Sequence, residues 1–156
     1  MRSDPARLPL DDRDRAIVGQ LQEDGRRPYA AVAKAVGLSE AAVRARVQRL
    51  RELGVMQIVA VTDPLSLDLA RQAMVGLSVE GDARIVADEL AALPEVAYVV
   101  LTAGSFDVLV EVVCNDDAHL LAVVNDSVRQ VPGVRSAEVF VYLQLAKQTY
   151  TWGTPP

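Results

Sequence analysis

The feature that most constrains this chain is the three-residue turn Gly37-Leu38-Ser39 and the helical stretch on either side of it. Upstream, Tyr29 to Val36 places Val32, Ala33 and Val36 on one stripe. Glycine is the usual residue for a left-handed helix end, so Gly37 predicts the C-terminal cap. Leu38 tucks into the turn. Ser39 predicts an N-cap, because its hydroxyl can accept from a backbone N–H two or three residues on. Downstream, Val43, Val47 and Leu50 recur at the i, i+4, i+7 spacing of a helix that stops before Gly54. So short a turn sets two helices at the angle of a helix-turn-helix.

The second helix turns a different face outward. Ala41, Arg44, Ala45 and Gln48 point away from the apolar stripe, with Arg46, Arg49 and Arg51 on its flanks. Alanines let a helix approach a major groove closely, and Arg and Gln can read base edges or hold phosphates. This reading makes Arg44 and Gln48 the base readers. Ser39, Glu40 and Ala41, at the start of the helix, lie near bases or backbone. Arg46, Arg49 and Arg51 touch phosphate or support the head. The plain alternative is a solvated basic face, and the short turn argues against it.

The net charge of −5 suits such a partner only when it is divided. Residues 1–60 hold 11 Lys/Arg against 8 Asp/Glu, a net of +3. Residues 61–156 hold 5 against 13, a net of −8. Charge asymmetry between halves predicts two domains, only the first suited to double-stranded DNA. Cys114 and His119 are the sole cysteine and histidine, so no intrachain disulfide is available and no zinc site is expected. No signal-peptide pattern or membrane-length apolar run is present, so the expectation is a cytoplasmic protein with no membrane partner.

In chain order, Met1 to Pro9 reads as a mobile lead. A helix opens at Asp11 or Asp12, buries Ile17, Val18 and Leu21 and ends at Gly25. Residues 1–54 form the trihelical DNA-binding head, winged-helix-like or helix-turn-helix. Residues 55–71 connect, with Val55 to Thr62 expected as a strand broken by Asp63-Pro64. From residue 72 to 156 the order is strand, helix over Asp82–Leu93, strand Val96–Ala103, turn Gly104-Ser105, strand Phe106–Cys114, helix, and strand Val134–Leu145. The first helix is expected to bury Ile85, Val86, Leu90 and Leu93, and the second, capped by Asn115 or Asp116, to bury Leu120, Leu121, Val124 and Val128. The β-α-β-β-α-β order is ferredoxin-like, so the fold class is α+β. Leu93-Pro94-Glu95-Val96 and Val131-Pro132-Gly133-Val134 echo one another at the two helix-to-strand junctions.

The strands are apolar on both faces. Val96, Tyr98 and Val100 are expected on one side of their strand, with Ala97, Val99 and Leu101 on the other. In the next strand, Val108, Val110 and Val112 alternate with Leu109 and Val113. A sheet with helices on one face leaves the other open, and an apolar open face needs a cover. A second copy is the simplest one, and the tail Tyr150-Thr151-Trp152 with the linker is the alternative.

These segments together resemble the Lrp/AsnC family, the feast/famine transcriptional regulators. Leu21–Arg26 resembles its first-helix ending, Val32–Ser39 its helix and turn, Val43–Leu50 and Gly54-Val55 its recognition helix and exit. Gly104-Ser105-Phe106-Asp107 resembles the Gly-x-aromatic-Asp turn of its effector domain, the RAM-type ligand-binding and dimerisation domain. The resemblance covers roughly residues 10–150. It implies dimers that often assemble into octamers, no cofactor, and an effector that is an amino acid or related metabolite. It places that effector at Gly104, Ser105, Phe106 and Asp107, with Thr102 beside the turn, and Ser136 and Glu138 reaching in from a neighbouring dimer. Glycine lets backbone N–H groups approach a carboxylate, and Asp107 can meet an ammonium group, although Gly and Asp are also ordinary turn residues. Two departures stand out: Arg26-Arg27-Pro28 where relatives often have a polar N-cap, and Asp68 where many have Gly. Siroheme decarboxylases resemble the same layout, but His119 sits early in an amphipathic helix and no catalytic constellation is visible. A low-specificity architectural DNA-binding protein is the third reading.

Overall fold

A computed structural model describes residues 10–62 and 71–149. They divide into two compact units, 10–61 with 147–149, and 62 with 71–146. The lead, Asp63-Pro64, Asp68 and Tyr150-Thr151-Trp152 lie outside the described residues.

The first unit is three helices, each closed by its local sequence. Helix α1 (Asp12–Glu23) begins with a capping box, in which the Asp11 carboxylate accepts from the Asp14 N–H at 2.7 Å and Asp14 accepts from the Asp11 N–H at 3.3 Å. Helix α2 (Tyr29–Val36) has Pro28 at its cap position and no side-chain cap, and ends on Gly37 at φ 67°. Helix α3 (Glu40–Glu52) is capped by Ser39, whose Oγ accepts from the Ala42 N–H at 3.2 Å. Ile17, Leu21, Val32, Ala33, Val36, Val43, Val47 and Leu50 are buried. Val18, expected in this stripe, is half-buried.

The expected linker strand is corrected. Residues 56–62 pair with no other strand among the described residues, and Val55, Ile58, Val59 and Val61 are exposed. A β-branched run takes up a strand only when a ladder satisfies its N–H and C=O groups, and no neighbour for it stands among the described residues.

The second unit is a four-stranded antiparallel sheet with helices: β1 (Arg71–Val79), α4 (Ala83–Leu90), β2 (Val96–Leu101), β3 (Val108–Cys114), α5 (Asp117–Ala122) and β4 (Val134–Val141), in spatial order β2-β3-β1-β4. The two junctions that echo in sequence have the same geometry. The Val96 N–H donates to Leu93 and the Val134 N–H to Val131, each at 3.1 Å, while the Glu95 carbonyl accepts from Val113 of the neighbouring strand and the Gly133 carbonyl from Glu80, one residue past β1. Ala73, Val75, Leu77, Val108, Val110 and Val112 face the helices and are fully buried.

Three expectations on burial are corrected. Ile85 is 62% exposed, because α4 spans only Ala83–Leu90 and turns Val86 and Leu90 inward, one position off Ile85. Leu121 is 63% exposed, and Val123 takes the inward place. There α5 widens into a π turn over Val123–Ser127 before a 3-10 turn, Val128–Gln130. In β2 a bulge at Ala97 shifts the register, so that Val96 and Val99 pack on the core and Tyr98 does not share the side of Val96.

Candidate nucleic-acid interface and effector turn

Thirteen residues give α3 a length of about 20 Å, and its outward face carries Ala41, Arg44, Ala45 and Gln48, all exposed. Arg44 donates to Glu40 at 2.9 Å, one turn back, and its guanidinium lies 5.3 Å from the centre of the Tyr29 ring. Gln48 donates to Glu52 at 2.8 Å. A groove of about 770 Å³ beside this face is lined by Tyr29, Arg44, Val47, Gln48, Arg51 and Met56 among others. Pairs as exposed as Arg44–Glu40 hold together weakly, so Arg44 is free to exchange its partner for a base or phosphate.

Arg46 and Arg49 are held differently. Arg46 bridges Asp11 at 2.7 Å and Asp14 at 2.8 Å, and Arg49 donates to the other Asp14 oxygen at 2.5 Å. Asp14 is only 1% exposed and is the one buried charged side chain among the described residues. The Asp11 carboxyl lies below its ordinary range, chiefly through the Asp14 N–H and then the Arg46 guanidinium. Ser39 is occupied as the helix cap, and Glu40 as the partner of Arg44.

In the second unit the turn after β2 is tied to β1. The Asp107 N–H donates to the Leu77 carbonyl at 2.8 Å, and Asp107 Oδ2 accepts from the Val79 N–H at 2.7 Å. Thr102 Oγ1 donates to the Phe106 carbonyl at 2.6 Å. The backbone N–H groups of Gly104 and Ser105 make no hydrogen bond among the described residues, and both residues are exposed. The Phe106 ring lies over Gly76 and meets Phe140 edge-on at 6.0 Å. Gly76 is the cross-strand partner of Glu138, and Ser78 that of Ser136. Paired residues share a sheet face, so Glu138 lies on the face that Phe106 covers.

Two family models match. The AsnC-type helix-turn-helix domain matches residues 10–51, and an AsnC-type C-terminal dimeric alpha+beta barrel domain matches residues 69–155. The chain belongs to the Lrp/AsnC family of transcriptional regulators. Similar relatives include the HTH-type transcriptional regulator FL11 of Pyrococcus horikoshii, 32% identical over 145 residues that cover 92% of this chain and 95% of FL11. The regulator AldR of Mycolicibacterium smegmatis is 31% identical over 144 residues, 86% of this chain and 84% of AldR. Among solved structures, the leucine response regulatory protein LrpA of Mycobacterium tuberculosis superposes with a TM-score of 0.83 at 26% identity, over 94% of this chain and 100% of LrpA. A Neisseria meningitidis regulator in complex with L-methionine superposes at 0.77 with 26% identity, over 95% of this chain and 97% of that one.

This Lrp/AsnC protein is thus a DNA-binding transcriptional regulator and not an enzyme, which sets the decarboxylase reading aside. No helix among its described residues is long and apolar enough to cross a membrane. Sequence reasoning passed over two residues of the regulator's head. Tyr29 beneath Arg44 carried no motif signal. Asp14 did carry one, since it stands at i−3 and i−7 from Ile17 and Leu21 and so shares their buried stripe.

Proposed function

We propose that this Lrp/AsnC regulator binds, as a homodimer, an imperfect palindrome whose half-sites lie about one helical turn or a multiple apart. Arg44 and Gln48 read bases, and Ser39, Glu40 and Ala41 lie against the bases or backbone. The observation that carries this reading is the exposed Ala41-Arg44-Ala45-Gln48 face of a capped helix that follows a three-residue turn. The dimer is supported by the exposure of Tyr98, Leu101 and Phe140 on the sheet unit.

An amino acid or related metabolite is the proposed effector, seated at Thr102, Gly104, Ser105, Phe106 and Asp107, with Ser136 and Glu138 nearby or from a neighbouring copy. Two free backbone N–H groups suit a carboxylate. Asp107 Oδ1, which makes no hydrogen bond among the described residues, suits an ammonium group. The L-methionine complex of the Neisseria relative supports the ligand class.

For DNA, a duplex selected from a random pool is compared with an unselected one. Arg44→Ala should weaken the selected duplex by about 1–3 kcal/mol and relax its preference. Equal weakening on both duplexes makes Arg44 a phosphate contact, and equal wild-type affinity for both makes the protein architectural. For the effector, calorimetry against a panel of amino acids compares wild type with Asp107→Asn, which keeps an acceptor for Val79 but loses the charge. Unchanged affinity would place the ammonium site elsewhere.

A further inference from the structure

The basic flank of α3 is electrically spent inside the protein. Arg46 and Arg49 are three residues apart and therefore on one side of the helix. Asp14 meets Arg46 with one oxygen and Arg49 with the other, and Asp11 holds the same Arg46 nitrogen. Two guanidiniums face two carboxylates, so this flank presents no net charge to a polyanion. The arrangement differs from the exposed Glu40–Arg44 pair. Drawing Arg46 or Arg49 away to a phosphate would strip the buried Asp14 carboxylate of a partner, which is costly. Releasing Arg44 from the exposed Glu40 is not.

Neighbouring side chains of α1 fix the other helix as well. Arg13 donates to the Val36 carbonyl at the C-terminal end of α2. Consecutive residues of α1 thus grip the last turn of α2 and the flank of α3, on the two sides of the Gly37-Leu38-Ser39 turn.

We infer that Asp14 is a positioning residue for DNA recognition. It neutralises Arg46 and Arg49 and fixes the rotation of α3 against α1, so that Arg44 and Gln48 face outward and non-specific attraction to DNA stays low. The inference rests on α3 being the helix that meets DNA. In this reading Arg46 and Arg49 act on DNA only through the pose of the helix.

The test uses the full-length protein, a duplex selected from a random pool by wild type, and an unselected duplex of equal length, with affinity followed against salt. Each phosphate contact adds about 0.9 to the slope of log affinity against log salt. Asp14→Asn removes one of the two carboxylates, which frees Arg49 and leaves Arg46 on Asp11. It should tighten the unselected duplex several-fold, steepen the slope by about one contact per head, and lower the ratio of selected to unselected affinity. Arg46→Gln should leave the slope as in wild type. A slope lowered by about 0.9 per head in Arg46→Gln would overturn the inference, because Arg46 would then sit on a phosphate. So would a folded Asp14→Asn whose slope and affinity ratio are those of wild type. If Asp14→Asn does not fold, Arg46→Gln decides alone. Arg44→Ala is the separate control: no loss on the selected duplex would remove α3 from the DNA, a failure of the underlying reading.

Discussion

The ring of Phe106 lies directly on Gly76, so that a Cβ built on residue 76 would sit 2.8 Å from each of three ring atoms. Gly76 is in the middle of β1, where glycine is ordinarily a weakness and alanine an improvement. Here the missing side chain is the seat of the ring, and the ring closes the turn that carries Gly104 and Ser105.

Gly76→Ala should therefore destabilise the sheet unit by about 1–3 kcal/mol, the usual range for forcing extra atoms into a packed site. Phe106→Ala removes the obstacle, so the double variant should lose less than the two singles together. Urea unfolding of all four proteins measures the coupling. Additive losses would mean that the ring moves aside freely. Under the proposed effector site, Gly76→Ala should also weaken effector binding, since Phe106 can no longer hold the turn in place.

Gly37 and Gly54 both adopt left-handed backbone, at φ 67° and φ 69°. A side chain in that region costs about 1–2 kcal/mol, so either glycine replaced by alanine should lower stability by that amount. The two differ in their surroundings. A Cβ at Gly37 meets the Arg13 guanidinium at 3.2 Å, whereas one at Gly54 meets nothing within 4 Å. Gly37→Ala should thus be the more damaging of the pair, because it also disturbs the bond from Arg13 to Val36. Thermal unfolding of the two variants should separate them, and equal losses would show that the Arg13 contact contributes nothing.

The head was legible in the sequence because its signals are local. Gly37, Ser39 and the Val43–Val47–Leu50 stripe each act within a turn or two of helix, and Asp11 closes its box with a residue three away. What lay hidden needed partners distant in sequence or a shift of phase. The Asp14–Arg46 and Asp14–Arg49 bonds span more than thirty residues, and no period connects them. Ala97 adds one residue to β2, which moves Tyr98 off the side of Val96 without leaving a mark in the alternation. The π turn after α5 likewise displaces Leu121 in favour of Val123. The segment 55–62 has the composition of a strand, but a ladder requires a neighbour that composition cannot supply. At the turn, the family resemblance singles out Gly104 to Asp107, and nothing in it marks the bond from Val79 to Asp107, which crosses from a different strand.

Acid should weaken the sheet unit through Asp82. Its carboxylate caps α4 by accepting from the Arg84 N–H at 3.0 Å and meets the Arg84 guanidinium at 2.7 Å. Chiefly through that guanidinium and then the N–H, its pKa falls from 3.8 to about 2. A group whose folded pKa lies below the unfolded one stabilises the fold above the unfolded value and loses that contribution as pH falls towards the folded value. The stability difference between wild type and Asp82→Asn should hold above pH 4 and shrink between pH 3.8 and about 2. Unfolding by urea across that range checks it, and a difference that does not change with pH would show that the charge plays no part in the cap.

Tyr29 sits at the first position of α2 yet acts on α3. Its ring lies 5.3 Å from the Arg44 guanidinium, within the distance at which a cation is drawn to an aromatic face. Together with Glu40 it narrows the orientations open to an exposed and otherwise mobile side chain before DNA arrives. Pre-ordering of this kind improves affinity by reducing the entropy lost on binding. Tyr29→Leu keeps an apolar body against the head core but removes the π face. It should weaken the selected duplex by about 0.5–1 kcal/mol, the range for an exposed cation–π contact. In an Arg44→Ala background the same change should cost close to nothing, since the ring then has no cation to orient. A double-mutant cycle on operator affinity, with unfolding measured in parallel, isolates this coupling from any loss of stability. If Tyr29→Leu weakens binding equally in both backgrounds, the ring contributes to the head by packing and not by holding Arg44.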